Sequence, residues 1–216
     1  MQSDKLSGII LCGGRSRRMG RPKALLPFGP QTLLERMTGL LGQACGELVI
    51  VAAAEQELPP LPPGVRVVYD SQVARGPLEG LRAGLASLSE DCQSVYLTGC
   101  DAPLLRPALV RQVARLLGAH QAAAPRIAGY LQPLSAVYRL DVLPIIERLL
   151  AGEHRALVDL LRSIDTRAVD PHELIGADPQ LQSFRNLNTP DDYLAALAEA
   201  GFEPPPDILA FWQKPA

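Results

Sequence analysis

The stretch that decides the fold of this chain runs from Leu6 to Lys23, L-S-G-I-I-L-C-G-G-R-S-R-R-M-G-R-P-K. Its first part, Leu6–Leu11, is apolar without alternation and has strand length, which fits a strand buried on both faces of a parallel sheet. Behind it, Gly13 to Lys23 is a loop of glycines and basic residues with one proline. In open α/β sheets ligands bind beyond the carboxyl ends of strands, so this loop stands where a ligand belongs. Glycine lets backbone N–H groups approach a phosphate, and Arg18 and Lys23 add fixed positive charge. Two general phosphate motifs do not fit. Gly14 and Gly20 are spaced wrongly for G-x-x-x-x-G-K-[ST], and glycines at 13, 14 and 20 do not make G-x-G-x-x-G. The plain alternative is a solvated basic loop.

Outward from this stretch the chain alternates between strand and helix patterns. Thr32 to Gln43 has helical spacing, with Leu33, Leu34, Met37, Leu40 and Leu41 on one stripe that reads as core. Glu47 to Ala52 and Val65 to Tyr69 read as strands. Gly76-Pro77 opens a helix reaching about Leu88, with proline at the first helical position, where its missing N–H costs nothing. Ser94 to Thr98 reads as a strand ending in Gly99-Cys100-Asp101. Leu105 to Leu117 reads as a helix and Gln121 to Ala124 as a fifth strand. Strands alternating with helices of this length predict a doubly wound α/β fold with a mostly parallel sheet. The alternation weakens beyond residue 125. There the expectations are a strand over Pro133–Tyr138 and helices over Leu140–Ala151, residues 155–162 and Asp191–Ala200. Residues 1–202 are expected to form one domain, followed by a loosely ordered proline-rich tail over 203–216.

With 216 residues, 47% hydrophobic and 20% charged, the chain is long and apolar enough for a sizeable core. A formal charge of −2 supplies no global basic field for nucleic acid, so an anion site must be built locally. No apolar run reaches the roughly 18–20 residues that span a bilayer, and no secretory segment is read at the start. Cys12, Cys45, Cys92 and Cys100 form no C-x-x-C pair, which disfavours zinc and fits reduced thiols in the cytoplasm. His120, His154 and His172 match no ligand spacing and are expected in surface or loop positions. Tyr96 and Tyr138 lie in strand-like runs and read as core.

The loop L-C-G-G-R-S-R-R-M-G-R-P-K resembles the signature of the nucleotidyltransferases that activate sugars, isoprenoid precursors and molybdenum cofactor. Within that group it is most similar to the molybdenum cofactor guanylyltransferase family. Further segments match in order: Asp70 with Gly76-Pro77-Leu78-Glu79-Gly80-Leu81, Gly99-Cys100-Asp101-Ala102-Pro103, Gln132-Pro133-Leu134 and Asn186-Leu187-Asn188-Thr189-Pro190. The chain departs from the family pattern in three places. Pro22 stands before the loop lysine where aspartate is common, Cys12 replaces a common alanine, and a single Asp70 followed by Ser71 replaces an acidic pair.

The resemblance implies a Rossmann-like nucleotidyltransferase fold and assigns roles. Lys23, Arg18 and Asp101 are the expected catalytic residues. Gly13, Gly14, Arg18 and Lys23 would grip a triphosphate, with Arg15 as a further contact. Leu11 and Cys12 would line the nucleotide pocket, and Asp70 would lie near base and ribose. Gly80 would let the nucleotide approach closely, and Asn186 and Asn188 would contact the pterin side. Asp101 would hold Mg²⁺, the one cofactor implied. The implied substrates are GTP and molybdenum-loaded molybdopterin. Transient contact with other molybdenum cofactor proteins is implied too, with no nucleic acid and no membrane partner. The alternatives are a cytidylyl or other nucleotide transferase, and a carrier of nucleotide or pterin without turnover. At the residue level Asp101 also reads as a helix N-cap, Asp70 as a strand-end turn, and the two asparagines as turn formers. Thr189-Pro190 reads as the N-cap and first position of the last helix.

Overall fold

The computed structural model describes residues 6–13, 19–70 and 76–212; for Asp70 it describes the backbone alone. The central sheet has the strand order β10-β7-β9-β6-β1-β4-β5. Here β1 is Leu6–Leu11, β4 Leu48–Ala53, β5 Arg66–Asp70, β6 Ser94–Gly99, β7 Ala122–Ile127, β9 Ser135–Arg139 and β10 Thr166–Val169. A two-residue strand β8, Tyr130–Leu131, folds back on β7, and β2 (Pro27–Phe28) pairs with β3 (Gln31–Thr32) as a separate hairpin.

β6, β1, β4 and β5 are parallel neighbours, so all four end on the same edge. β9 is inserted antiparallel between β6 and β7. The sheet is therefore mostly parallel, as expected, with β9 and the short β8 reversed where the sequence alternation weakens.

Helices cover both faces. On one face α1 (Leu33–Gly42) and α3 (Pro107–Leu116) bury Leu34, Met37, Leu41, Leu109, Val110 and Val113 against Ile10, Ile50 and Tyr96. On the other, α2 (Pro77–Ala86), α4 (Leu143–Ala151) and α5 (Leu157–Ser163) bury Leu78, Leu81, Leu85, Ile146, Leu150 and Leu160. Each such side chain removed from water contributes roughly 1.5–3 kcal/mol, which makes these two layers the main source of stability. α1 starts at a capping box: the Thr32 hydroxyl accepts from the Glu35 N–H at 3.2 Å, and Glu35 accepts from the Thr32 N–H at 2.7 Å.

A third apolar cluster lies outside the two layers. It joins Met19, Leu26, Phe28 and Leu33 to Leu187, to Tyr193 and Leu197 of α6 (Pro190–Glu199), and to Ile208 of α7 (Pro206–Trp212). The expectation of a loosely ordered tail is corrected over 206–212. Prolines 204–206 set up a helix start, and Ile208 is fully buried in this cluster. Tyr96 and Tyr138 are fully buried, as read, and burial pushes both phenols well above their usual range.

Candidate active site

The parallel strand ends build the floor. Leu11 of β1 is in register with Gly99 of β6 and with Val51 of β4, while Ala53 pairs with Asp70 at the end of β5. Beyond the last β1 residue, the Cys12 N–H donates to Val51 O at 2.8 Å, and the Cys100 N–H donates to Leu11 O at 3.2 Å. Gln56 staples the same edge from below: its amide donates to Cys12 O at 3.2 Å and accepts from the Ala53 N–H at 3.1 Å. No sequence motif points to Gln56.

Cys12 and Cys100 stand side by side on this floor, and both are buried and unpaired. The neighbouring Cys100 thiol, then burial, pushes the Cys12 thiol well above its usual range, so it is a small apolar floor residue and not a nucleophile. That fits the reading of Cys12 as a substitute for alanine.

Lys23 opens a short 3-10 turn, Lys23–Leu25, and aims its amine back over the strand ends. Its Nζ lies 2.8 Å from Asp101 Oδ2 and donates to Asn188 Oδ1 at 3.5 Å. These residues come from three distant parts of the chain, and one backbone bond and one apolar cluster bring them together. The Leu187 N–H donates to Asp101 O at 2.9 Å, which docks the Asn186–Asn188 segment beside the aspartate. The third apolar cluster holds Leu187 against the Met19–Phe28 segment from behind. Leu187 is buried while Asn186 and Asn188 are exposed, so both amides are available to a ligand.

Asp101 is not a helix N-cap: α3 begins at Pro107, and Arg106 occupies the cap position. The carboxylate instead folds back over Gly99, where a Cβ would lie 2.6 Å from Asp101 Oδ1. Glycine at 99 is thus a condition for the aspartate's position. The turn after it is tied down by Arg36, whose Nε donates to Pro103 O at 2.6 Å while the guanidinium lies 4.8 Å from the Phe28 ring centre.

Gly13 and Gly80 differ in what keeps them bare. A Cβ on Gly13 would meet only the Ala53 N, at an ordinary 3.7 Å, so protein packing does not require glycine there. A Cβ on Gly80 would sit 3.0 Å from the Leu11 side chain. Gly80 is buried inside α2, and what it permits is close helix–strand packing against the residue expected to line the nucleotide pocket. The contact that requires glycine there is thus the one to Leu11.

The expected ligand contacts Gly14, Arg15 and Arg18 lie outside the described residues, as does the Asp70 side chain. Thr189 caps α6 as read, accepting from the Asp192 N–H at 3.2 Å, with Pro190 next.

Among the described residues there is no group of three or more His, Cys, Asp or Glu side chains that could cage a metal. A single carboxylate at 21% side-chain exposure, Asp101, does fit an ion that takes one or two protein oxygens and fills its remaining positions with phosphate and water.

A mostly parallel, doubly wound sheet with a lysine, a carboxylate and an amide gathered at the β1 and β6 ends defines a nucleotidyltransferase of Rossmann-like fold. A family model described as the MobA-like NTP transferase domain matches residues 8–168, and the chain belongs to that family. It is 33% identical over 190 residues to a probable molybdenum cofactor guanylyltransferase of Pelotomaculum thermopropionicum, covering 88% of this chain and 91% of that one. It is 35% identical over 204 residues to one of Mycobacterium avium, covering 92% and 98%. Among solved structures it resembles molybdopterin-guanine dinucleotide biosynthesis protein A of Archaeoglobus fulgidus, with TM-score 0.75, 22% identity and coverage of 90% and 98%. A protein of Mycobacterium tuberculosis H37Rv solved with manganese shares the fold at TM-score 0.62 and 22% identity, with coverage of 91% and 100%.

Proposed function

We propose that this chain transfers GMP from GTP to the terminal phosphate of molybdenum-loaded molybdopterin and releases pyrophosphate. The observation that carries the reading is the convergence of Lys23, Asp101 and Asn188, at 2.8 and 3.5 Å, on the ligand-binding edge of the sheet. The curated relatives, named as guanylyltransferases over nearly the whole chain, support the choice of base and acceptor.

An oxygen of the acceptor's terminal phosphate attacks the α-phosphorus of GTP. The bond from that phosphorus to the bridging oxygen breaks, and pyrophosphate leaves with the electron pair. Such transfers need positioning and charge stabilisation more than covalent help. Lys23 neutralises triphosphate charge as it builds on the leaving group. Asp101 would hold Mg²⁺, and the ion would offset charge on the phosphates. Manganese in the mycobacterial neighbour supports a divalent ion in this fold. Lys23 and Asp101 neutralise each other, and a bound nucleotide would draw Lys23 to its phosphates and leave the carboxylate free to hold the ion. Leu11, Cys12 and the bare Gly13 receive the nucleotide, Gly14, Arg15 and Arg18 add loop contacts to the phosphates, and Asp70 stands on the base and ribose side. Asn186 and Asn188 face the acceptor, as the exposed side of the segment beside Asp101.

No helix among the described residues is long and apolar enough to cross a membrane. We infer a cytoplasmic location, which the four unpaired thiols support, and transient contact with other molybdenum cofactor proteins, which the reaction supports.

The test is pyrophosphate release with Mg²⁺, molybdenum-loaded molybdopterin and GTP, CTP, ATP or UTP in parallel. Release with GTP alone is expected. Release with CTP alone would move the chain to cytidylyl transfer, and release with none despite GTP binding would favour another acceptor or a carrier without turnover.

A further inference from the structure

We propose that α7 is a positioning strap for the segment that carries Lys23. Trp212, Phe211 and Asp207 hold Met19–Arg21, and so set how tightly the chain binds a triphosphate. The proposal rests on the reading of Lys23 as a triphosphate ligand.

The contacts fall on three consecutive residues that end just short of Pro22-Lys23. The Trp212 indole Nε1 donates to Met19 O at 2.9 Å. The Arg21 guanidinium lies 4.4 Å from the Phe211 ring centre, and one of its nitrogens is 3.6 Å from Asp207 Oδ2. Between them Gly20 turns with φ +65°, and a Cβ there would come within 3.0 and 3.1 Å of the Phe211 ring. Gly20 thus meets both requirements of the contact: a left-handed turn, and room for an aromatic ring. Beneath these contacts, Met19 and Ile208 are buried together, and Trp212 packs edge-on against Tyr193 with centroids 5.3 Å apart.

None of these contacts is strong alone. The Arg21–Asp207 pair is exposed, and a cation over a ring at the surface contributes modestly. Their joint effect is on order. A segment that must be ordered when the ligand arrives lowers apparent affinity by the fraction of time it is already competent. The strap keeps Met19–Arg21 in place beforehand, and Lys23 is delivered to Asp101 and Asn188 with its backbone already set. Arg21, engaged by Phe211 and Asp207, is drawn towards α7. The family model ends at residue 168, so it contains Met19–Arg21 and stops short of α7.

The test uses the full chain with Trp212→Phe, which keeps a ring and removes the donor, and Asp207→Asn at a side chain 68% exposed. Dissociation constants are measured for GTP and inorganic pyrophosphate with Mg²⁺ by calorimetry, and for guanosine by NMR titration. Trp212→Phe is expected to weaken GTP and pyrophosphate by the same factor, about tenfold, as if the segment were competent about a tenth of the time. Guanosine binding should not change, and KM for GTP should rise while kcat stays within about twofold. Asp207→Asn should shift both phosphate ligands by about two- to threefold. Unchanged GTP and pyrophosphate affinity in both variants would overturn the strap. So would an equal loss for guanosine, which would mean general softening. If Trp212→Phe fails to fold, Asp207→Asn decides by the same criteria. A wild-type chain that binds neither GTP nor pyrophosphate overturns the triphosphate reading itself, and the strap with it.

Discussion

Lys23 and Asp101 lie 78 positions apart and meet at 2.8 Å. Lys23→Ala is expected to lower kcat by about 10²–10³, the loss seen when one preorganised charge-stabilising donor is removed. Steady-state kinetics at saturating GTP check this, and a near-wild-type kcat would take the lysine out of the mechanism. Gly99→Ala is a quieter test of the same geometry. The added methyl would lie 2.6 Å from Asp101 Oδ1, so the carboxylate must move. That variant should stay folded by circular dichroism yet lose metal-dependent turnover by about tenfold or more, since small misplacements of reacting groups are costly. The buried thiols give a third residue-level check. Burial raises Cys45 to about 12 and, as the leading cause, raises Cys92; the Cys100 thiol and burial raise Cys12. Raised thiols are protonated at pH 8, so iodoacetamide should label these three cysteines only as fast as the chain unfolds.

The helix α6 shows what its cap contributes and what the segment before it was built for. Thr189 and Asp192 satisfy each other's backbone N–H groups, and Asp192 also accepts from the Asn188 N–H at 3.0 Å. The Thr189 hydroxyl, then the Asn188 and Thr189 N–H groups, hold the Asp192 carboxyl below its usual range. A carboxyl lowered in the fold adds stability above its unfolded value of about 4, and loses it as pH falls through the folded value. Asp192→Asn should therefore lower the melting temperature at pH 7, and by progressively less as pH falls below about 4. Because the side chain is almost fully solvated, the effect is small. Thr189→Ala removes a cap and should cost about 1 kcal/mol in denaturant unfolding. Much of this was legible. Thr189-Pro190 announced the cap, Gly76-Pro77 the start of α2, and apolar runs the parallel strands. The reversal of β9 was not, because strand direction depends on the length and path of connections and not on its own residues. Nor was the role of Gly80, whose reason is the Leu11 side chain of another element.

At the scale of the molecule, two helical layers make the fold and a third cluster makes the site. Met19–Leu33, Leu187, α6 and α7 meet in that cluster, which places Lys23 and Asn188, 165 positions apart, beside one another. The L-C-G-G loop, C-D-A-P and N-L-N-T-P were each visible in the sequence, and so was their likeness to one family. Their meeting was not, since long-range contact leaves no local periodicity. The packing of Ile208 and Trp212 was hidden for the same reason under a proline-rich composition. A buried ion contact shows how the same end is held together. The Asp178 carboxylate is fully buried, accepts from the Ser183 N–H at 2.8 Å and lies 3.3 Å from Arg106 Nε. It ties the stretch before Asn186 to the start of α3.

The central claim is that these pieces join into a centre that moves GMP. The direct measurement follows GTP labelled with ³²P at the α-phosphate, incubated with Mg²⁺ and molybdenum-loaded molybdopterin. The account predicts label in the pterin dinucleotide product, unlabelled pyrophosphate in equal amount, and loss of both in Lys23→Ala. Label that stays in GTP, or appears only as free GMP or GDP, would contradict it.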